Sequence, residues 1–330
     1  MASKALPKDK IPQAVSILKK QYKVIGATPK GKNFVFKEIE DPNEVTLDYN
    51  TTILPLKKFF LPPREVIVEF NLQSKEYRGE DIKVEPKVFF GIHNYELQAV
   101  FRLDFAFKNG VSDETYLKKR EKNVFIGVSY IPDDFHFSES VGIPTDLKEG
   151  FDIFLTRYDS HYRVEAMTEK GREIENAWEE LLVPCDYEGD PVVHFKNKLK
   201  QSVAGIREIF HGAYNHPIWK ETARKCYSCG TCNLVCPTCY CFDVSDEVIL
   251  GTDKGVRARR WDSCQALVFT KVAGGDVFRE KRYDRVRHRM SRKFAYIMDE
   301  KDRPFCVGCG RCVRQCTADI NIVDVMNALL

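Results

Sequence analysis

Several features are missing from this sequence, and each absence removes a class of function. No uncharged apolar run approaches the roughly 18–20 residues that a membrane-spanning helix needs. The opening stretch, Met1 to Lys10, is polar and mixed in charge, without a signal-peptide core, so the expected location is the cytoplasm. Charge excess is small. With 51 Lys and Arg against 48 Asp and Glu, the net +3 selects no partner through global electrostatics. The N-terminal half has no G-x-G-x-x-G, P-loop or G-x-S-x-G pattern, and so no catalytic motif of its own. It also lacks cysteine entirely, from residue 1 to residue 184.

What is present lies later in the chain. Of twelve cysteines, Cys185 stands alone and eleven fall between Cys226 and Cys316. A disulfide-stapled secreted protein would spread its cysteines along the chain and carry an export signal. Clustered cysteines in a reducing compartment are read as metal ligands or redox groups. The rest of the composition, 43% hydrophobic and 30% charged over 330 residues, is that of a globular protein with room for two domains.

Periodicity predicts mixed elements in the first half. An amphipathic helix is expected around Pro12–Lys20, with Ala14, Val15 and Leu18 as its apolar stripe. Strands are expected at Asn33–Lys37, Val66–Phe70, Val88–Gly91 and Val124–Val128. Between the last two, Tyr95–Phe107 suits a helix, and strand, helix, strand at this spacing predicts a parallel α/β unit. Glu169–Leu182 also reads as helix. The breakers Asp186, Gly189, Asp190 and Pro191 place a domain boundary near residue 190, dividing the chain into 1–190 and 191–330. Beyond it, helices are expected at Leu199–Phe210, from Pro217 through Trp219, and over Phe278–Ile297. Glu247–Leu250 and Val256–Trp261 flank Gly251, Asp253 and Gly255 as a hairpin would.

The pattern that carries chemistry occurs twice. Cys226, Cys229, Cys232 and Cys236 form one C-x2-C-x2-C-x3-C run, and Cys306, Cys309, Cys312 and Cys316 form the other. This is the spacing of two-cluster ferredoxins. A cubane presents four irons at tetrahedral corners, each wanting one thiolate. Cysteines three apart let one tight loop wrap three corners, with Gly230, Gly308 and Gly310 relieving crowding, while the fourth corner needs a ligand from elsewhere. In the two-cluster arrangement the last cysteine of each run serves the other cluster. That assigns Cys226, Cys229, Cys232 and Cys316 to one [4Fe–4S] cluster, and Cys306, Cys309, Cys312 and Cys236 to a second. Structural zinc uses paired ligands and has no need of a third cysteine three residues on, so zinc is the weaker reading.

Other residues are less specific. Cys239, Cys241 and Cys264 could ligate a third cluster or form a reactive thiol site, but burial as free thiols beside the clusters outweighs ligation. Cys185 reads as a packing residue. The basic stretch Arg279–Lys293 is ordinarily a solvated helix face; a second reading has its arginines offset the negative charge of a cluster, and nucleic acid ranks last. His288 within it reads as a surface or hydrogen-bonding histidine before a ligand.

With these residues in view, the chain resembles the dicluster electron-transfer subunits of cytosolic sulfhydrogenases (the beta subunit) and of anaerobic sulfite reductase. The resemblance is carried by the segment from Cys226 to Phe242, by Trp261–Cys264, Val272–Gly275 and Arg287–Arg289, and by Cys306–Cys312. Phe59–Glu65 carries it more weakly in the first half. It implies an α+β protein: a mixed α/β scaffold over 1–190, then a mainly helical, ferredoxin-like domain with two [4Fe–4S] clusters over 191–330. It implies an electron-transfer role between a flavoprotein partner (FAD, NAD(P)H or heterodisulfide-reductase-like) and a hydrogenase or reductase catalytic subunit, without nucleic acid or membrane. The competing reading is an enzyme with an open cluster or reactive thiol at Cys239, Cys241 or Cys264. Relatives carry a further cysteine where this sequence has Tyr95, and a cysteine-rich loop where it reads Pro132–Phe137. An additional cluster in the first half is therefore expected to be lost, leaving two.

Overall fold

The computed structural model describes residues 3–79, 82, 84–185, 191–299 and 301–330. The expected breakers Asp186, Gly189 and Asp190 lie outside the described residues.

The first half runs β1 (Ser3–Pro7), α1 (Ile11–Leu18), β2 (Lys23–Lys30), β3 (Asn33–Glu38), β4 (Arg64–Asn71), β5 (Glu76–Gly79) and β6 (Lys87–Ile92). It continues through α2 (Asn94–Lys108), α3 (Glu114–Arg120), β7 (Asn123–Val128), β8 (Ile153–Arg157), β9 (His161–Ala166), α4 (Glu169–Ala177) and β10 (Val183–Cys185). Eight of these strands form one sheet in the order β10-β1-β9-β8-β7-β6-β2-β3, with β2, β6, β7 and β8 parallel to their neighbours in the centre. The predicted β6–α2–β7 unit is therefore present, and its strands are buried along most of their length. Alternate residues supply two cores. Val88 and Phe90 pack with α1 and Trp178 on one face, while Phe89 and Phe125 pack with Leu97, Val100 and Leu103 of α2 on the other.

α2 is buried on more than one side. Its leucine face meets the sheet, while Tyr95 and Ala99 join a third core with Trp219, Val286, Met290 and Phe294 from the second half. This explains why Glu96, Gln98 and Arg102, polar residues of α2, are each about 1% exposed or less. Arg102 donates to the carbonyls of Pro304 (2.8 Å) and Gln98 (2.9 Å).

The second half contains α5 (Ile218–Lys225), α6 (Thr231–Leu234), β11 (Phe242–Val248), β12 (Lys254–Trp261), α7 (Arg282–Phe294), α8 (Arg311–Arg314) and α9 (Ile322–Asn327). These helices are short, and hairpin and loop occupy much of the rest. The coarser α+β description holds for it, rather than a mainly helical one. The predicted hairpin is present, with its first strand at Phe242–Val248 in place of Glu247–Leu250, but its pairing is not local. β12 lies antiparallel to β4, giving a second sheet in the order β11-β12-β4-β5. Buried Glu65 of β4 holds that junction by accepting from Arg259 of β12 (Nε, 3.2 Å) and pairing with Lys119.

One helix prediction fails and two helices are shorter than expected. Leu199–Phe210 is loop with a single 3-10 turn at Glu208–Phe210. Its backbone closes separate turns, Gly205 N–H to Ser202 O (3.0 Å) and Ile206 N–H to Val203 O (3.3 Å), with Gly205 in the middle, while Leu199 and Ile206 still reach the core. The helix expected over Phe278–Ile297 is only Arg282–Phe294. A bridge between Lys271 and Val277 precedes it and one between Met298 and Pro304 follows it. Glu169–Leu182 likewise divides into α4 and a 3-10 turn at Glu179–Leu181.

Candidate metal centre

Each cysteine run is a tight loop running into one helical turn. In the first, Cys226 follows α5 and Cys232 lies in α6; in the second, Cys312 lies in α8. Gly230 and Gly310 precede the two turns with φ of +79° and +69°, a left-handed conformation that glycine adopts without strain. α5 and α7 pack together over the first loop.

The fold gathers the expected cysteines into two cavities. One, of about 60 Å³, is lined by Cys226, Cys229, Cys232, Cys312 and Cys316. The second, of about 20 Å³, is lined by Cys306, Cys309, Cys312 and Cys236. Each cavity thus holds three cysteines of one run and the last cysteine of the other, and the first holds Cys312 as well. Cys312 and Arg289 line both, so the two are neighbours. Among the described residues, no three His, Cys, Asp or Glu side chains converge tightly enough to share a single metal ion.

Burial and charge differ around the sulfurs. Burial pushes the Cys232 and Cys309 thiols up to about 12, and it pushes Cys306 up as well. The exposed Cys229 moves the other way, lowered chiefly by its hydrogen bond with the Thr231 hydroxyl. Backbone N–H groups of Ser228 and Ile320 donate to Cys226 Sγ (3.3 Å) and Cys316 Sγ (3.4 Å). The basic stretch is split by α7. Arg285, Arg289 and Lys293 are 5–6% exposed and turn inward, so they belong to the local-charge reading and are not available to a phosphate backbone. Arg289 donates to Cys232 O (3.2 Å) and Lys293 to Thr238 Oγ1 (2.8 Å).

The remaining cysteines separate. Cys185 is buried at the end of β10, away from both cavities, as a packing residue would be. Cys239, Cys241 and Cys264 come together at another small cavity, with His288. Lys57 was not expected at the site. It is 3% exposed, donates to Cys239 O (2.9 Å) and lies over the Trp261 ring at 4.0 Å. Its only sequence cue is its place two residues before the Phe59–Glu65 segment, which itself packs on Trp261 through Trp261 N–H to Pro63 O (2.9 Å).

In the first half, the segments around Tyr95 and Pro132–Phe137 also meet. His93, Tyr95, Tyr130 and His136 form a buried ring cluster, with His93–Tyr130 centroids at 4.6 Å and Tyr95–His136 at 5.4 Å. Aromatic rings fill that space.

Such paired cysteine cavities define the class of 4Fe–4S dicluster proteins, and the 4Fe-4S dicluster domain family matches residues 225–320. Sulfhydrogenase 2 subunit beta of Pyrococcus furiosus is 34% identical over 327 residues, covering 96% of this chain and 95% of that protein. The chain belongs to the sulfhydrogenase beta-subunit family. No solved structure matches it. No helix among the described residues is long and apolar enough to cross a membrane.

Proposed function

We propose that this chain is the electron-relay component of a cytoplasmic oxidoreductase complex. It would hold one [4Fe–4S] cluster on Cys226, Cys229, Cys232 and Cys316, and a second on Cys306, Cys309, Cys312 and Cys236. The observation that carries this reading is the crossed lining of the two neighbouring cavities. Clusters so close suit electron hopping, and potentials would be set by burial, hydrogen bonds to sulfur and the inward cations of α7. The division near residue 190 is read functionally: 1–190 as docking scaffold, 191–330 as the ferredoxin-like electron carrier.

The partners are a flavoprotein that uses flavin or nicotinamide and a hydrogenase or reductase catalytic subunit, in keeping with the sulfhydrogenase relative. The first cluster is the outward one, because Cys229 is exposed and Tyr227 beside it is 69% exposed. The second lies between the two halves of the chain.

Iron and acid-labile sulfide in anaerobically purified protein, with EPR before and after dithionite, test the reading. At least about eight irons per chain and two interacting reduced cubane signals are expected. Zinc, or about four irons, would overturn it. The crossing is tested separately. Cys316→Ser should perturb the signal that Cys226→Ser perturbs; loss of the Cys306→Ser signal instead would show uncrossed ligands.

A further inference from the structure

The two-cluster reading leaves three cysteines unused, yet the fold assembles them. Cys239 and Cys241 flank Tyr240 just beyond the first run, and Cys264 arrives from the loop after β12. With His288 of α7 they line a cavity of about 30 Å³. That volume falls between the 60 and 20 Å³ of the two cavities lined by the repeated motifs.

The other charged groups on its wall are Arg289, Arg292 and Lys293, and no carboxylate lines it. Arg289 and Lys293 are 5% exposed, and neither has an acidic partner among the described residues. Buried cations are costly without an anion to offset them. Arg289 also lines both of the first two cavities and Lys293 the one around Cys306, whereas Arg292 lines neither. Lys57 sits against Cys239. Asn233, 2% exposed, donates Nδ2–H to Cys264 Sγ at 2.9 Å, the sense of hydrogen bond that a metal-bound thiolate accepts. A thiolate-ligated cluster would give each sulfur its own iron and carry the negative charge that the wall lacks.

We propose that Cys239, Cys241 and Cys264 hold a third iron–sulfur cluster, a [4Fe–4S] core whose fourth corner faces His288. The proposal rests on the relay reading, since it extends an iron-loaded chain by one redox centre.

The test is iron and sulfide in the anaerobic full-length chain, with Mössbauer spectra. About twelve of each are expected. In the variant Cys239→Ser/Cys241→Ser/Cys264→Ser, about eight should remain, with the coupled EPR signals of the other two clusters retained. About eight irons in the wild type, or a variant that loses none, would overturn the third centre and leave the relay intact. So would about eight irons together with a Cys241–Cys264 disulfide formed in air. Fewer than eight, or zinc, would overturn the relay itself. If the triple variant does not fold, the wild-type count decides. His288→Ala should lose about one iron per chain on mild oxidation, with a new three-iron EPR signal. Behaviour identical to wild type would remove His288 from the site.

Discussion

Cys226–Cys236 and Cys306–Cys316 set their sulfurs at the same intervals, but the residues between them answer to different neighbours. The position before the second cysteine is Ser228 in one run and Gly308 in the other, at φ of +58° and +64°. A Cβ at Gly308 would meet the Ser138 backbone at 2.4 Å, and Gly308 O accepts from Phe137 N–H at 2.9 Å. Ser228 has room for its side chain, which is 3.5 Å from an Arg285 nitrogen of α7. The residue before the third cysteine is half-buried Thr231 in the first loop and Arg311, fully buried, in the second. Arg311 pairs with Glu96 of α2 and donates to Thr52 O (2.8 Å) and Thr52 Oγ1 (2.7 Å). The first loop thus leans on α7 and the Ser263 loop of its own half, while the second is clamped into the N-terminal half. One motif thus sits in two different settings, and the cysteine spacing alone does not distinguish them.

That contrast can be broken most strongly at Arg311. Arg311→Leu would leave Glu96 buried without its cation, although Leu56 N–H still donates to it at 3.1 Å. A buried pair broken on one side costs about 3–5 kcal/mol. Thr231→Ala, at the matching position, should cost about 1 kcal/mol or less. Denaturant unfolding of the iron-loaded chain under anaerobic conditions measures both. Equal losses would mean that the loops are held alike.

A smaller difference is expected at the glycine. Gly308→Ala combines a left-handed backbone with a backbone clash and should destabilise by about 2–3 kcal/mol. Ser228→Gly should be close to neutral or slightly stabilising, because it relieves positive φ at a site with no crowding. Thermal unfolding of the two variants beside wild type gives the comparison. A tolerated Gly308→Ala would show that the Phe137–Ser138 backbone yields.

How much of this could be read in advance follows the range of each interaction. The two cysteine runs stand out because of their short local spacing, and β6–α2–β7 because its strands are short apolar runs and its helix has apolar residues three and four apart. The β12–β4 pairing joins residues nearly two hundred positions apart and leaves no local trace, so a two-sheet protein with an interleaved second sheet was not foreseen. Leu199–Phe210 has helical spacing, yet with Gly205 in its middle the backbone closes three-residue turns instead, Gly205 N–H to Ser202 O (3.0 Å) and Phe210 N–H to Arg207 O (3.1 Å). Gly308 and Gly310 read as giving space to the cluster, and they do carry positive φ. The atoms that a Cβ would strike, however, belong to Ser138 and Phe135 of the scaffold. Lys57, Asn233 and Arg311 escaped because nothing in their local sequence marks a buried cation or a donor to sulfur.

The smallest expected effect concerns the rim of the second loop. Asp133 accepts from the Phe135 N–H (2.9 Å), contacts His136 Nδ1 (2.9 Å) and pairs with Arg314 of α8. Burial alone would raise its pKa, but the His136 hydrogen bond and charge, the Phe135 N–H and Arg314 outweigh it and hold the carboxyl well below the usual range. A folded pKa below the unfolded value of about 3.9 stabilises wherever the unfolded chain would bind the proton less than fully. The contribution is complete above about pH 5 and is lost as pH falls through about 3.9 towards the folded value. Asp133→Asn should therefore cost about 1 kcal/mol at pH 7. Its difference from wild type should stay flat between pH 8 and pH 5 and shrink below about pH 4. Unfolding followed by tryptophan fluorescence across that range measures it, read on the plateau while the clusters remain intact. A difference that already falls between pH 7 and pH 5 would mean that Asp133 is not held ionised by its neighbours. The clamp on the second loop would then rest on its other contacts, among them Arg311, Gly308 and Gln315, which donates to Ile53 O at 3.0 Å.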